Sequence, residues 1–165
     1  MTLPPEFDPA AAADQDAGIF GLPFDRSNSR IVLLPVPFDA TTSYRPGTAD
    51  GPAALRAASM QVDLFDRRFG RVYEQGLFME PISEQIRELS RQAALAARPI
   101  IDAGGPEGGN AEHAKLLSQV NAAGVRVAAF VYEHTARVLS EGRVPGLIGG
   151  EHSVPFGAIR AVAEK

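Results

Sequence analysis

The chain has 165 residues, 45% of them hydrophobic, and a formal net charge of −4 from 16 basic and 20 acidic residues. That is the length of one domain or part of one, with enough apolar residues to bury a core. The lack of cysteine excludes a disulfide scaffold, a thiolate metal site and a cysteine nucleophile, and the charge balance provides no basic stripe for nucleic acid.

Residues 1–30 read as an N-terminal arm. They mix Pro, Asp and Ala around two apolar patches, Ile19-Phe20 and Leu22-Pro23-Phe24. Such a segment is expected either to be loosely ordered or to dock its aromatic patches on a neighbouring subunit. It lacks the basic start and apolar run of a secretory signal, and no stretch approaches the ~20 apolar residues of a membrane helix. A cytoplasmic protein is the expectation.

The domain proper is read as 31–165. Ile31 to Val36 form a short apolar run, the pattern of a strand buried on both faces. A polar loop follows from Pro37 to Gly51, broken by Pro46-Gly47 and Gly51-Pro52, and Pro52 fits the first turn of a helix. Gly76 to Glu80 are a possible second strand. Ser83 is a plausible N-cap for a helix carrying Ile86, Leu89, Ala93, Ala96 and Ala97 at helical spacing. Four glycines and a proline between Asp102 and Gly109 end it in a loop.

Residues 110–140 carry two patterns. Val125 to Val131 fit a strand after Gly124, but Leu116, Leu117, Val120, Ala123, Val127, Val131 and Val138 favour one helix to about Ser140. Gly124 inside it costs ~1 kcal/mol relative to Ala. Val144 to Ile148 read as a strand, and a tight turn, Gly149 to Ser153, leads into a last helix with Ser153 as N-cap. Strands alternating with helices give an α/β fold, a parallel sheet with flanking helices.

Ligands of open α/β sheets bind at the C-terminal ends of strands. Two segments put polar residues there. Gly149 and Gly150 permit a turn that holds His152 at the sheet edge, and neutral imidazole is a common ligand of divalent metals. Glu151 either orients that imidazole or points away. Taken alone, a single histidine after a strand fits a hydrogen-bonded structural role better than a ligand. The loop 39–51 offers the hydroxyls of Thr41, Thr42, Ser43 and Tyr44, together with Arg45. Read structurally, Arg45 and Asp50 tie that loop to the sheet and Arg56 anchors its helix. Asp39 alone does not make a general base. His113 and His134 fall on polar helical positions. No phosphate-binding glycine motif follows a strand.

The pairing of PFDATTSYRPGTADGPAALRAAS (37–59) with GLIGGEHSVPFGAIRA (146–161) resembles the ureohydrolase (arginase/agmatinase) family, in its agmatinase-like branch. The resemblance implies the N-terminal half of the ureohydrolase fold. It makes His152 the first ligand of a two-manganese site, with Glu151, Ser153, Gly149 and Gly150 supporting, and puts Thr41, Thr42, Ser43, Tyr44 and Arg45 beside the substrate. The implied reaction is metal-dependent hydrolysis of a guanidino group, agmatine to putrescine and urea being the leading case. It also implies an oligomer. The family's later ligand motifs, D-A-H-x-D and D-x-D-x-x-D-P, do not occur in these residues. Only one of the expected ligands is therefore present, and the chain alone is expected to be inactive. The alternatives are a non-catalytic subunit pairing with a second chain and a small metal-independent binding module.

Overall fold

The computed structural model describes residues 3–14 and 17–165; residues 1, 2, 15 and 16 of the arm lie outside the described residues. The order is β1 (Ile31–Pro35), α1 (Gly51–Ala58), β2 (Leu77–Met79), α2 (Glu84–Asp102), α3 (Ala111–Ser140), β3 (Val144–Ile148) and α4 (Phe156–Ala163). The three strands form one parallel sheet in the order β2-β1-β3, with Ile31 opposite both Leu77 and Val144. After β2 the chain passes over β1 to reach β3, so the order in which strands are laid down reverses between β1 and β3. That point opens a crevice beyond the strand ends.

One face of the sheet is covered by helices. Leu34 of β1 and Val36 and Phe38 just beyond it pack with Ile86, Leu89 and Ala93 of α2 and Val127 and Val131 of α3. α3 is one helix of 30 residues, about 45 Å long at its ordinary rise. Its buried positions, Val120, Ala123, Val127, Val131, Thr135 and Val138, recur every three or four residues. The helical period therefore decides the ambiguity at 125–131. Gly124 is tolerated because a side chain there would face open space. Asn110 caps the helix through the amides of Glu112 and His113, and Ser83 caps α2 through the amide of Ile86.

The other face is covered differently. Ile31 and Leu33 are only half-buried, so β1 is not sealed on both sides as its apolar run suggested. The arm supplies part of the cover: Leu22 and Phe24 are buried with Tyr73, and Leu77 of β2 packs against them. Its apolar patches are thus seated within this chain. Arg26 extends the closure by pairing with Glu80 and Glu141, and Arg143 donates to the carbonyls of Arg26 and Ser27.

β1 and β3 are joined by Val144 N–H to Arg30 C=O and by Val36 N–H to Ile148 C=O. Alternation along a parallel ladder then turns the peptide groups of Pro145 and Leu147 outward, to the open edge of β3. Pro145 has no N–H, which suits an edge position. Among the described residues, no helix is long and apolar enough to cross a membrane.

Candidate functional site

The crevice beyond β1 and β3 is built from two loops that bind each other through main chain. Gly150 N–H donates to Thr48 C=O at 3.3 Å and Glu151 N–H to Phe38 C=O at 2.9 Å. Such an approach requires glycine. Gly149 and Gly150 have φ of +87° and +84°. A Cβ on Gly149 would lie 2.5 Å from the Pro52 ring, and one on Gly150 would lie 2.9 Å from the carbonyl oxygens of both Val36 and Phe38. The glycine pair read as a tight turn is therefore the place where the second loop presses against the first and against the start of α1.

His152 follows in the turn leading to α4 and is exposed. Glu151 points toward the first loop: its carboxylate accepts from the Thr41 amide at 2.7 Å, the Thr41 hydroxyl at 2.8 Å and the Ser153 hydroxyl at 2.8 Å. Ser153 is therefore not the N-cap of α4. That helix begins at Phe156 after Pro155, with no side-chain cap. The serine lies too far before the helix to cap it, and its hydroxyl donates to the Glu151 carboxylate, a charged acceptor.

Asp39 organises the rest of the first loop. It accepts from the amides of Gly47 at 2.7 Å and Ala49 at 3.3 Å, and its own amide donates to the Ser90 hydroxyl on α2 at 3.0 Å. This carboxylate folds the loop. Asp50 reaches Arg87 of α2 at 3.5 Å and not the sheet. Arg45, at φ +51°, lies over the ring of Tyr44 and so does not tie the loop to the sheet either. Arg56 is exposed on α1. Thr42 is half-buried, and Ser43 and Tyr44 are exposed. Sequence reasoning did not single out Ser90 or Arg87, whose link to the loop comes from tertiary placement.

A cleft of about 580 Å³ lies between the first loop and α2, lined by Asp39, Thr42, Pro46, Asp50, Arg87 and Leu95 among others, and His152 is not in its wall. His113 accepts from the Glu107 amide, and His134 bonds the Phe130 carbonyl one turn back. His113 thus ties the preceding loop to the start of α3, and His134 bonds within that helix. Among the described residues, no three His, Asp or Glu side chains converge to hold a metal ion. With Glu151 and Asp39 engaged by loop donors, His152 is the one such side chain of its turn left facing solvent, and a single imidazole does not fit a two-metal centre, where each ion takes roughly four to six ligands.

The arginase family model matches residues 29–165, which contain both loops and all three strands. The chain belongs to the arginase family. It is similar to the N(1)-aminopropylagmatine ureohydrolase of Synechocystis sp., at 26% identity over 138 residues, 82% of this chain and 35% of the relative. It is similar to the agmatinase of Bacillus anthracis, at 26% identity over 137 residues, 83% of this chain and 36% of the relative. In fold it matches the agmatine ureohydrolase of Thermoplasma volcanium with a TM-score of 0.53 at 20% identity, covering 84% of this chain and 36% of that one. This arginase-family chain spans about a third of the length of the curated relatives it matches.

Proposed function

We propose that the chain forms one wall of an agmatinase-like ureohydrolase site, with His152 as one ligand of a two-manganese centre whose other ligands come from further arginase-family sequence. The substrate would be a small guanidino compound, agmatine first among them, cleaved in the cytoplasm to an amine and urea. The observation that carries this reading is the apposition of the Gly149–Ser153 turn and the Pro37–Gly51 loop at the sheet's reversal point, in a chain of this family. A pair of divalent ions supplies such a reaction with hydroxide at neutral pH. The residues described here do not complete that centre, so no step of the reaction is assigned to them. Their part is to present one imidazole and to shape the mouth.

A second reading is supported by the open side of the sheet. Beyond the unpaired edge of β3, Phe156, Ile159 and Val162 of α4 are all more than half exposed. An open parallel edge beside an apolar helical stripe invites a partner, and parallel sheets ordinarily have both faces covered. On this reading the chain is an interaction subunit without chemistry of its own, or part of an oligomer.

Mixing separates the two. The chain is combined with the separately produced remainder of an agmatinase-type relative, and urea release from agmatine is followed beside co-elution. Urea release that appears only on mixing and disappears with His152→Ala supports the first reading. A stable complex without urea release supports the second. A chain that stays monomeric beside the added remainder, with no urea, contradicts both.

A further inference from the structure

We infer that Glu151 is a positioning residue, the latch that fixes the loop carrying Thr41 to Arg45 against the turn carrying His152. The inference rests on the proposed site for its functional meaning, but its geometry stands apart from any metal. Three donors converge on one carboxylate: Oε2 accepts from the Thr41 amide, and Oε1 from the hydroxyls of Thr41 and Ser153, all between 2.7 and 2.8 Å. Main chain brackets the same residue, its N–H donating to Phe38 and its C=O accepting from Val154. Glu151 is thus joined twice to the first loop, by backbone at Phe38 and by side chain at Thr41, 110 positions away.

Main chain holds the two ends of the outer loop, at Phe38 and at Thr48, and the Glu151 side chain adds the hold on Thr41 between them. Phe38 and Val154 belong to the core and are held there without Glu151. Thr41, Ser43, Tyr44 and Arg45 are exposed and have no such hold. A carboxylate has roughly four acceptor sites, and three are occupied, which leaves Glu151 poorly suited to bind a metal. Reach also matters. Aspartate, the residue the family resemblance often places at this position, is shorter by one C–C bond, roughly 1.5 Å.

The chain has no cysteine, so two introduced ones can be labelled uniquely. Nitroxides are attached through Tyr44→Cys and Ile159→Cys, at positions 75% and 66% exposed. Their separation is read by double electron–electron resonance in the otherwise unchanged chain, and with Glu151→Gln, Thr41→Val or Thr41→Ser added. The expected result is a narrow distance distribution that broadens with Glu151→Gln, broadens less with Thr41→Val and stays narrow with Thr41→Ser. Amide exchange at Thr41 should quicken about tenfold in Glu151→Gln, the loss expected for a charge-assisted hydrogen bond that is partly open to water. The thermal midpoint and exchange in α2 and α3 should hold.

A distribution unchanged by Glu151→Gln overturns the inference. So does broadening accompanied by lost protection throughout the core, which would make Glu151 merely structural. Should Glu151→Gln fail to fold, Thr41→Val and Ser153→Ala carry the same comparison. None of these readouts changes if His152 proves not to bind metal, so failure of the latch and failure of the proposed site remain distinct.

Discussion

Phe38→Ala is expected to cost about 3–5 kcal/mol of stability, the loss typical of removing a buried aromatic ring. Phe38 is 1% exposed and heads the largest fully buried side chains. It packs among residues of β1, α2, α3 and the segment before α4. Its backbone carbonyl meanwhile receives the amide of Glu151. The ring therefore joins the helical face of the sheet to the base of both site loops, and no single element can shift to fill the hole. A domain is ordinarily stable by only about 5–15 kcal/mol, so the loss is a large share of the total. Urea unfolding measures it, with Phe69→Ala as reference. Phe69 is 68% exposed and its removal should change stability by less than about 0.5 kcal/mol. Equal losses in the two variants would contradict the packing described.

Gly150→Ala is expected to cost about 3 kcal/mol, combining left-handed backbone strain with overpacking against fixed atoms. The added Cβ would meet Val154 Cγ2 at 2.5 Å and two carbonyl oxygens at 2.9 Å. The valine can turn aside; the carbonyls of Val36 and Phe38 cannot, because Val36 is in the ladder and Phe38 is in the core. Gly142→Ala isolates the difference. Gly142 has φ of +72° but nothing within 4 Å of its Cβ position, so it carries the strain alone. The excess loss in Gly150→Ala, with faster exchange of the Glu151 amide, reports the close approach of the two loops. Identical losses would mean that the loops are not pressed together.

Most of the frame was legible because it rests on local chemistry. Ser83 before Glu84 announced α2, and the buried period through Val120, Val127 and Val131 carried α3 across a stretch that also fits a strand. The Gly149-Gly150 pair announced the turn, and its left-handed angles follow from having no Cβ. Side-chain partnerships were less legible. Capping is a local rule and points to Ser153, but α4 begins only at Phe156, after Pro155, and the serine hydroxyl donates to Glu151. Asp50 was read as tied to the sheet, yet its partner Arg87 lies on a helix 37 positions on. The arm's apolar patches mark it as a docking segment, but its partner is Tyr73 of the same chain, about 50 positions later, which the arm's own composition does not show. Glu151 illustrates the limit most clearly: its position beside His152 is evident in the sequence, while two of its three donors come from Thr41, 110 positions away.

On the proposed reading, this chain contributes one metal ligand to a site it does not complete. The most direct test is manganese content after dialysis into Mn²⁺ and removal of free ion, for the chain and for His152→Ala, with urea release from agmatine assayed on both. Little retained metal and no urea are expected from either, since one imidazole cannot hold a divalent ion that takes roughly four to six ligands. About two manganese ions per chain, lost together with urea release in His152→Ala, would contradict that reading and mean that these residues assemble a complete centre.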